Sequence, residues 1–224
     1  MAAVVPEVAA TELHLPSSII ALAEDATQEL ARFDAEAGSM VAPFTAILLR
    51  TESASSSQIE NLTSSAKQVA LAELGLARSR NAEMVVANVN ATMAAVRLSE
   101  DIDEAAIIAM HAALLAGHQP AMVGRWRQEQ VWIGGSGAGP HNADFVPPHH
   151  ELVPAAMRDL VRFMERDDLP YLPQIALAHA QFETVHPFPD GNGRTGRALV
   201  QALLRHKGLT RSMTVPISAG LLTD

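Results

Sequence analysis

HPFPDGNGRTGR, residues His186 to Arg197, interrupts a helical pattern that runs up to it and resumes after it, and the reading of this break decides the fold. Upstream, Ile175, Ala178, Phe182 and Val185 recur at helical spacing; downstream, Leu199, Val200, Leu203 and Leu204 do so until Gly208. Pro187 disfavours the α conformation at His186, so the first helix should end with an imidazole at its tip. A histidine placed there titrates near neutrality, as a general base must. Asp190, Gly191, Asn192 and Gly193 then turn tightly into the next helix. Two glycines and an asparagine tolerate left-handed backbone, so successive N–H groups can converge as an anion-binding nest at a helix N-terminus. Arg194 and Arg197, three apart, share a helix face and offer two guanidinium forks, which suits a polyphosphate. Asp190 adds a hard oxygen ligand where Mg²⁺ binds through a carboxylate and phosphate oxygens.

The rest of the chain reads as the frame for this loop. Its 224 residues can bury a substantial core. They are 48% hydrophobic with only six Phe, two Trp and one Tyr, and a composition rich in Ala and Leu favours helix, so a mostly α protein is expected. A net charge of −9 repels nucleic acid and anionic membrane, which makes any phosphate site a local cluster. Cysteine is absent, which removes disulfides and thiolate chemistry. No apolar run reaches the length of a membrane span and no secretion signal opens the chain, so the cytoplasm is the expected location.

Ser17 or Ser18 caps a first helix in which Ile19, Leu22, Ala23, Ala26, Leu30 and Phe33 form one stripe, closed by Gly38. After the apolar Pro43 to Arg50 comes a serine cluster, then helices expected over Gln58 to Leu74 and Asn81 to Leu98. Asp101 and Glu104 read as a capping box for a helix carrying Ile107, Ile108, His111, Leu114 and Leu115 to Gly117. Between His118 and Pro148, QVWIGG, SGAGPHNA and DFVPP read as two extended segments about a glycine-rich turn, the one hairpin candidate. Val153, Met157, Leu160, Val161 and Met164 mark another helix; Met110, Met157 and Met164 stand at core spacing. His141, His149 and His150 do not stand at a helical metal spacing, so a polar loop is the expectation there. His179 reads as a hydrogen-bonded structural histidine, and His111 and His118 carry no motif.

HPFPDGNGRTGR matches every fixed position of the Fic signature HxFx[DE]GNGRxxR, and AHAQFETVHPF and VWIGG are similar to Fic sequences as well, so that about residues 100 to 207 resemble that family. The resemblance implies an all-α helical bundle with a small β-hairpin flap, residues 101–224 forming the core and residues 1–100 an N-terminal helical region. It implies transfer of AMP from ATP to a Ser, Thr or Tyr hydroxyl of a target protein or of the chain itself. His186 would be the base and Asp190 the Mg²⁺ ligand; Gly191, Asn192 and Gly193 would line the α- and β-phosphate cradle. Arg194 would hold the β-phosphate region and Arg197 the γ-phosphate, with Thr195 and Gly196 between them in the phosphate-binding stretch, and Phe188 would anchor the loop. The flap at Val131, Trp132, Ile133 and Gly134 would align a target segment by strand addition, although simple core burial would equally explain Trp132 and Ile133. No nucleic-acid or membrane partner is expected; a homo-oligomer is compatible.

The same resemblance reassigns the serine cluster, which composition alone reads as a linker. Ser56 to Asn61, SSQIEN, fits the Fic inhibitory pattern [ST]xxxE[GN], and Glu60 would then pair with Arg197 and keep ATP from binding productively. A phosphotransferase or an enzyme removing AMP are alternatives within the fold, and a non-catalytic nucleotide-binding module is an alternative outside it. The kinase-like branch typified by Doc has a lysine where this chain has Gly193, which speaks against that branch. The last residues, LLTD, look like family sequence that normally continues, which points to a truncated or short member.

Overall fold

Helix α1 (Ser17–Gly38) lies across the bundle with Leu30 against the main core and Phe33 against Leu48 and Met213. Ile19, Ile20 and Leu22 remain exposed, so the predicted stripe is covered only along its second half. The computed structural model describes residues 2–38, 43–135, 139–211 and 213–223. No helix among these is long and apolar enough to cross a membrane.

Helix α2 (Pro43–Ile59) corrects the reading of the serine cluster, which lies inside this helix rather than ahead of one. Ser53, Ser56 and Ser57 are buried, and Ser57 Oγ donates back to the Ser53 carbonyl at 2.8 Å. The Asn88 amide donates to the same carbonyl at 2.9 Å and to Ser57 Oγ at 3.3 Å. Short side chains let the two backbones approach, and every hydroxyl that is buried there needs such a partner. The single helix expected over Gln58 to Leu74 is therefore two. Asn61, at φ 59°, ends the first in left-handed backbone, and α3 (Ala66–Glu73) opens on Ser65, whose hydroxyl accepts the Gln68 N–H.

Helix α4 (Arg80–Arg97) is the bundle's centre and packs against α2, α3 and the later helices α5 (Glu104–Leu115) and α8 (Asn192–His206). Helix α5 (Glu104–Leu115) is capped by Asp103, not Asp101: the Asp103 carboxylate accepts the Ala106 N–H at 2.7 Å, three residues on. Helices α6 (Val153–Glu165), α7 (Tyr171–Val185), α8 (Asn192–His206) and the short α9 (Ile217–Leu221) complete the set. Their common core is fully buried at Ile107, Met110, Met157, Phe163, Phe182 and Leu199, with Met164 beside them. The methionines thus fill the core as their spacing predicts.

The predicted hairpin is reduced to one antiparallel bridge among the described residues, Ile133 with Phe145; residues 136–138 of its turn lie outside them. Ile133 donates to the Phe145 carbonyl at 2.8 Å, and its own carbonyl accepts from Asp144 and Phe145 at 2.9 and 3.2 Å. Gly134 and Gly135 turn left-handed directly after it, and Pro147 and Pro148 have no N–H to extend a ladder.

Candidate active site

His186 is the cap of α7, held at φ 50°, and the turn folds its imidazole back over the helix's last turn. Nδ1 lies 3.3 Å from the Glu183 carbonyl. A carbonyl only accepts, so Nδ1 carries the proton and Nε2 keeps a free lone pair. Burial pushes the imidazole below its ordinary pKa, with Glu183 pulling the other way, so it is neutral and basic at neutral pH. Phe188 is buried beneath the loop, stacked on His111 with ring centres 3.7 Å apart and tilted against Trp126.

The turn itself differs from the expected nest. Only Gly191 is left-handed, at φ 79°; Asn192 and Gly193 already belong to α8. The Asn192 amide serves the loop instead of pointing to a ligand: Oδ1 accepts the Phe188 N–H and Nδ2 donates to the Phe188 carbonyl, both at 2.8 Å. The donors left for an anion are the first N–H groups of α8, which have no intrahelical partner. Asp190 Oδ1 accepts the Gly191 N–H at 2.6 Å and Oδ2 accepts from Gln119 at 3.2 Å.

Arg194 and Arg197 lie on one side of α8. Arg194 is 3% exposed, and its Nε and Nη1 are buried without a partner. Burial lowers its pKa, Asp190 and Glu60 oppose that, and an anion placed there would complete the guanidinium. Arg197 is already engaged through two of its three nitrogens. Nε donates to Ser56 Oγ, and Nη2 to the Ser56 carbonyl and to Glu60 Oε1, all at 2.8 Å. The Glu60 carboxylate also crowds Gly193 so closely that a Cβ there would collide with it. Gly196 points the other way: a Cβ would meet Glu183, Phe182 and His179 of α7. Thr195 is buried, its hydroxyl unpaired.

Two models of one family match this chain, Fic/DOC over residues 101–204 and Fic/DOC N-terminal over residues 20–97. The chain belongs to the Fic/DOC family. It is 32% identical over 117 residues to the protein adenylyltransferase fic-1 of Caenorhabditis elegans, a match covering 50% of this chain and 21% of that protein. A probable protein adenylyltransferase of Aquifex aeolicus is 40% identical over 68 residues, 30% of this chain and 21% of its own length. The crystal structure of a Fic family protein from Desulfovibrio desulfuricans aligns with a TM-score of 0.64 at 26% identity, covering 88% of this chain and 59% of that one. The chain thus spans about a fifth of the length of these two curated relatives.

Beside the motif of this Fic domain stand residues that pattern reading passed over. Arg127 is buried and donates to the His186 carbonyl at 2.8 Å, to Glu129 O at 2.9 Å and to Pro148 O at 2.6 Å, which ties the base of the flap to the motif loop. His111, also buried, places Nε2 3.0 Å from the Asp190 carbonyl and holds the turn from below. Their signal was faint: a lone arginine after Trp126 and a histidine on an apolar helix face look ordinary in isolation. In the flap, Val131 and Trp132 are half-buried while Ile133 and Gly134 are exposed, so Trp132 and Ile133 are not core residues. Ile133 bonds inward, and strand alternation turns the N–H and C=O of Trp132 to the opposite edge. A Cβ on Gly134 would strike the Asp144 carboxylate, which accounts for the glycine.

His179 lies 3.4 Å from Glu183 Oε1, but its Nε2 makes no hydrogen bond, contrary to the reading of it as hydrogen-bonded. His149 and His150 meet Glu151 within 4.8 Å on an exposed turn, and His141 takes no part.

Proposed function

We propose that this Fic domain transfers AMP from ATP to a Ser, Thr or Tyr hydroxyl, on a target protein or on itself, and that Glu60 restrains the transfer in cis. One observation carries the reading: two arginines share a face of α8, one buried with unpartnered nitrogens and one closed by the chain's own carboxylate. That carboxylate is an anion seated at a helix N-terminus against Gly193, where a phosphate would be held. The names of the two curated relatives support the activity.

In the step, the hydroxyl oxygen bonds to the α-phosphorus, the bond from that phosphorus to the bridging β-oxygen breaks, and pyrophosphate leaves. His186 Nε2 takes the hydroxyl proton. Arg194 holds oxygens of the β-phosphate region and Arg197 those of the γ-phosphate, so that the chain's contribution is positioning and fixed charge. Asp190 would hold Mg²⁺, which supplies further positive charge to the phosphate oxygens; each oxygen of its carboxylate carries one hydrogen bond and keeps lone pairs for a metal. The free edge at Trp132 receives the target segment as an added strand. With Glu60 on Arg197 the γ-phosphate has no guanidinium, and ATP is bound unproductively or not at all.

The test uses α-labelled and γ-labelled ATP with the Glu60→Gly variant as enzyme and acceptor. Label from the α position alone, lost in a second variant that also carries His186→Ala, is the expected result. Label from the γ position alone would make the domain a phosphotransferase and overturn the reading.

A further inference from the structure

We propose that Glu183 is the positioning partner of His186, its carboxylate steadying the imidazole on the side opposite the reacting nitrogen. The proposal rests on the reading of His186 as general base and adds to it a residue outside the motif. Glu183 stands three positions before His186, and its main-chain carbonyl already faces Nδ1. Its side chain returns to the same nitrogen, with Oε2 3.9 Å from Nδ1, while Oε1 lies 3.4 Å from Nε2 of His179. One carboxylate thus stands between two imidazoles.

An ordinary surface ion pair at helical spacing would have this sequence separation and contribute little, about 0.3–0.5 kcal/mol. Three features set this one apart. Glu183 Oε1 is buried without a hydrogen-bond partner, as is His179 Nε2, so this oxygen is enclosed although the side chain as a whole is 31% exposed. Helix α8 presses directly on it: a Cβ on Gly196 would lie 2.6 Å from Oε1, so the glycine of GRTGR makes the room that this carboxylate occupies. The left-handed backbone of His186 is what bends the imidazole back toward residue 183 in place of carrying it onward.

The chemical consequence follows from charge. When Nε2 takes a proton the ring becomes a cation that burial disfavours most and Arg127 disfavours further; Glu183 and, less, Glu60 favour it. Release of the proposed restraint withdraws Glu60, and Glu183 is then the carboxylate left to offset Arg127. His179, on the same helix, faces the other oxygen of Glu183 and limits where that carboxylate can point. An acid that orients a histidine and stabilises its imidazolium without itself accepting the proton is a known device of hydrolytic triads.

The experiment compares Glu60→Gly with the same protein carrying Glu183→Gln or Glu183→Asp, and reads two quantities. The first is the pH profile of AMP transfer at saturating ATP. Glu183→Gln lowers the rate about tenfold, a fraction of the ~10²–10⁴ that a general base supplies in total, and moves the acidic limb to lower pH, while Glu183→Asp restores part of the rate. The second, which needs no ATP, is the NMR titration of the His186 imidazole, whose midpoint falls in Glu183→Gln. An unchanged midpoint overturns the proposal whatever the activity, and so does a rate loss with an unmoved acidic limb and no rescue by Asp. Absence of AMP transfer by Glu60→Gly itself would instead refute the underlying reading of the site, and the titration still decides the role of Glu183.

Discussion

Arg194 and Arg197 leave α8 one turn apart and enter opposite surroundings. The first faces the motif turn, where nothing among the described residues hydrogen-bonds two of its buried nitrogens. The second faces the end of α2, which supplies a hydroxyl, a carbonyl and a carboxylate. A buried guanidinium without partners is costly, so a fold keeps one where a ligand will complete it. The contrast sets two halves of one helix face side by side, a guanidinium with unpartnered buried nitrogens and one held by the protein itself. Neither half is visible from the spacing RTGR, which treats the two side chains alike.

The sharpest way to test that contrast is to remove what both halves would serve. In a Glu60→Gly background, His186→Ala lowers α-label incorporation by ~10²–10⁴ while ATP binding, measured by calorimetry, persists, since the two arginines are untouched. Retained transfer would mean that His186 is not the base that both halves are proposed to serve. Next, Glu60→Gly alone opens the filled half: labelling rises about tenfold or more over the parent chain, each factor of ten needing only ~1.4 kcal/mol of difference between the two states. Equal labelling would show that the pair is structural. A smaller effect separates the arginines by stability. Arg197→Met strips buried Ser56 of its partner and lowers unfolding free energy by about 1–3 kcal/mol, whereas Arg194→Met relieves an unpaired buried charge and is neutral or stabilising by ~1 kcal/mol. Denaturant melts of the two variants that moved in the same direction would erase the distinction.

The smallest effect concerns the rear of α2. Glu52 is buried and accepts from the Ser218 N–H at 2.8 Å and its hydroxyl at 2.6 Å, which latches α9 onto the helix that leads into Glu60. Burial, its largest influence, raises the Glu52 pKa above 4.5; Ser218 and Arg197 oppose the shift. The folded state therefore holds this proton more tightly than the unfolded one. Its contribution is fully present below about pH 4.5 and is lost as pH rises through the higher folded pKa. Glu52→Gln, which keeps an acceptor without the charge, flattens that decline, and melts from pH 4 to pH 8 read the difference.

The motif loop was legible because its determinants are contiguous. Pro187 ends α7, Gly191 makes the left-handed turn, and α8 begins within a few residues. What was misread there is the reach of side chains: Asn192 bonds to the backbone four residues back, a loop-closing task that composition does not distinguish from ligand binding. The serine cluster failed for a related reason. Its polarity signals a linker, and only packing against Asn88 and Thr92 of α4 makes buried hydroxyls acceptable in a helix. His111 and Arg127 had no motif because each acts on the main-chain carbonyl of a residue far away in sequence.

The amino-acid order by itself determined the helical class, the break at His186 and the cluster of histidine, carboxylate and two arginines, because propensities, caps and turns are settled among near neighbours. The family pattern at Ser56 to Asn61 named a partner for Arg197, and Asn61 shows its local logic: the last position must accept left-handed backbone. Only the tertiary structure decided that Arg197 is engaged while Arg194 is not. That outcome depends on α2 being clasped between α4, α8 and α9, which brings together two residues 137 positions apart. Burial and desolvation, which set what a charged group needs, exist only once the helices have closed around it.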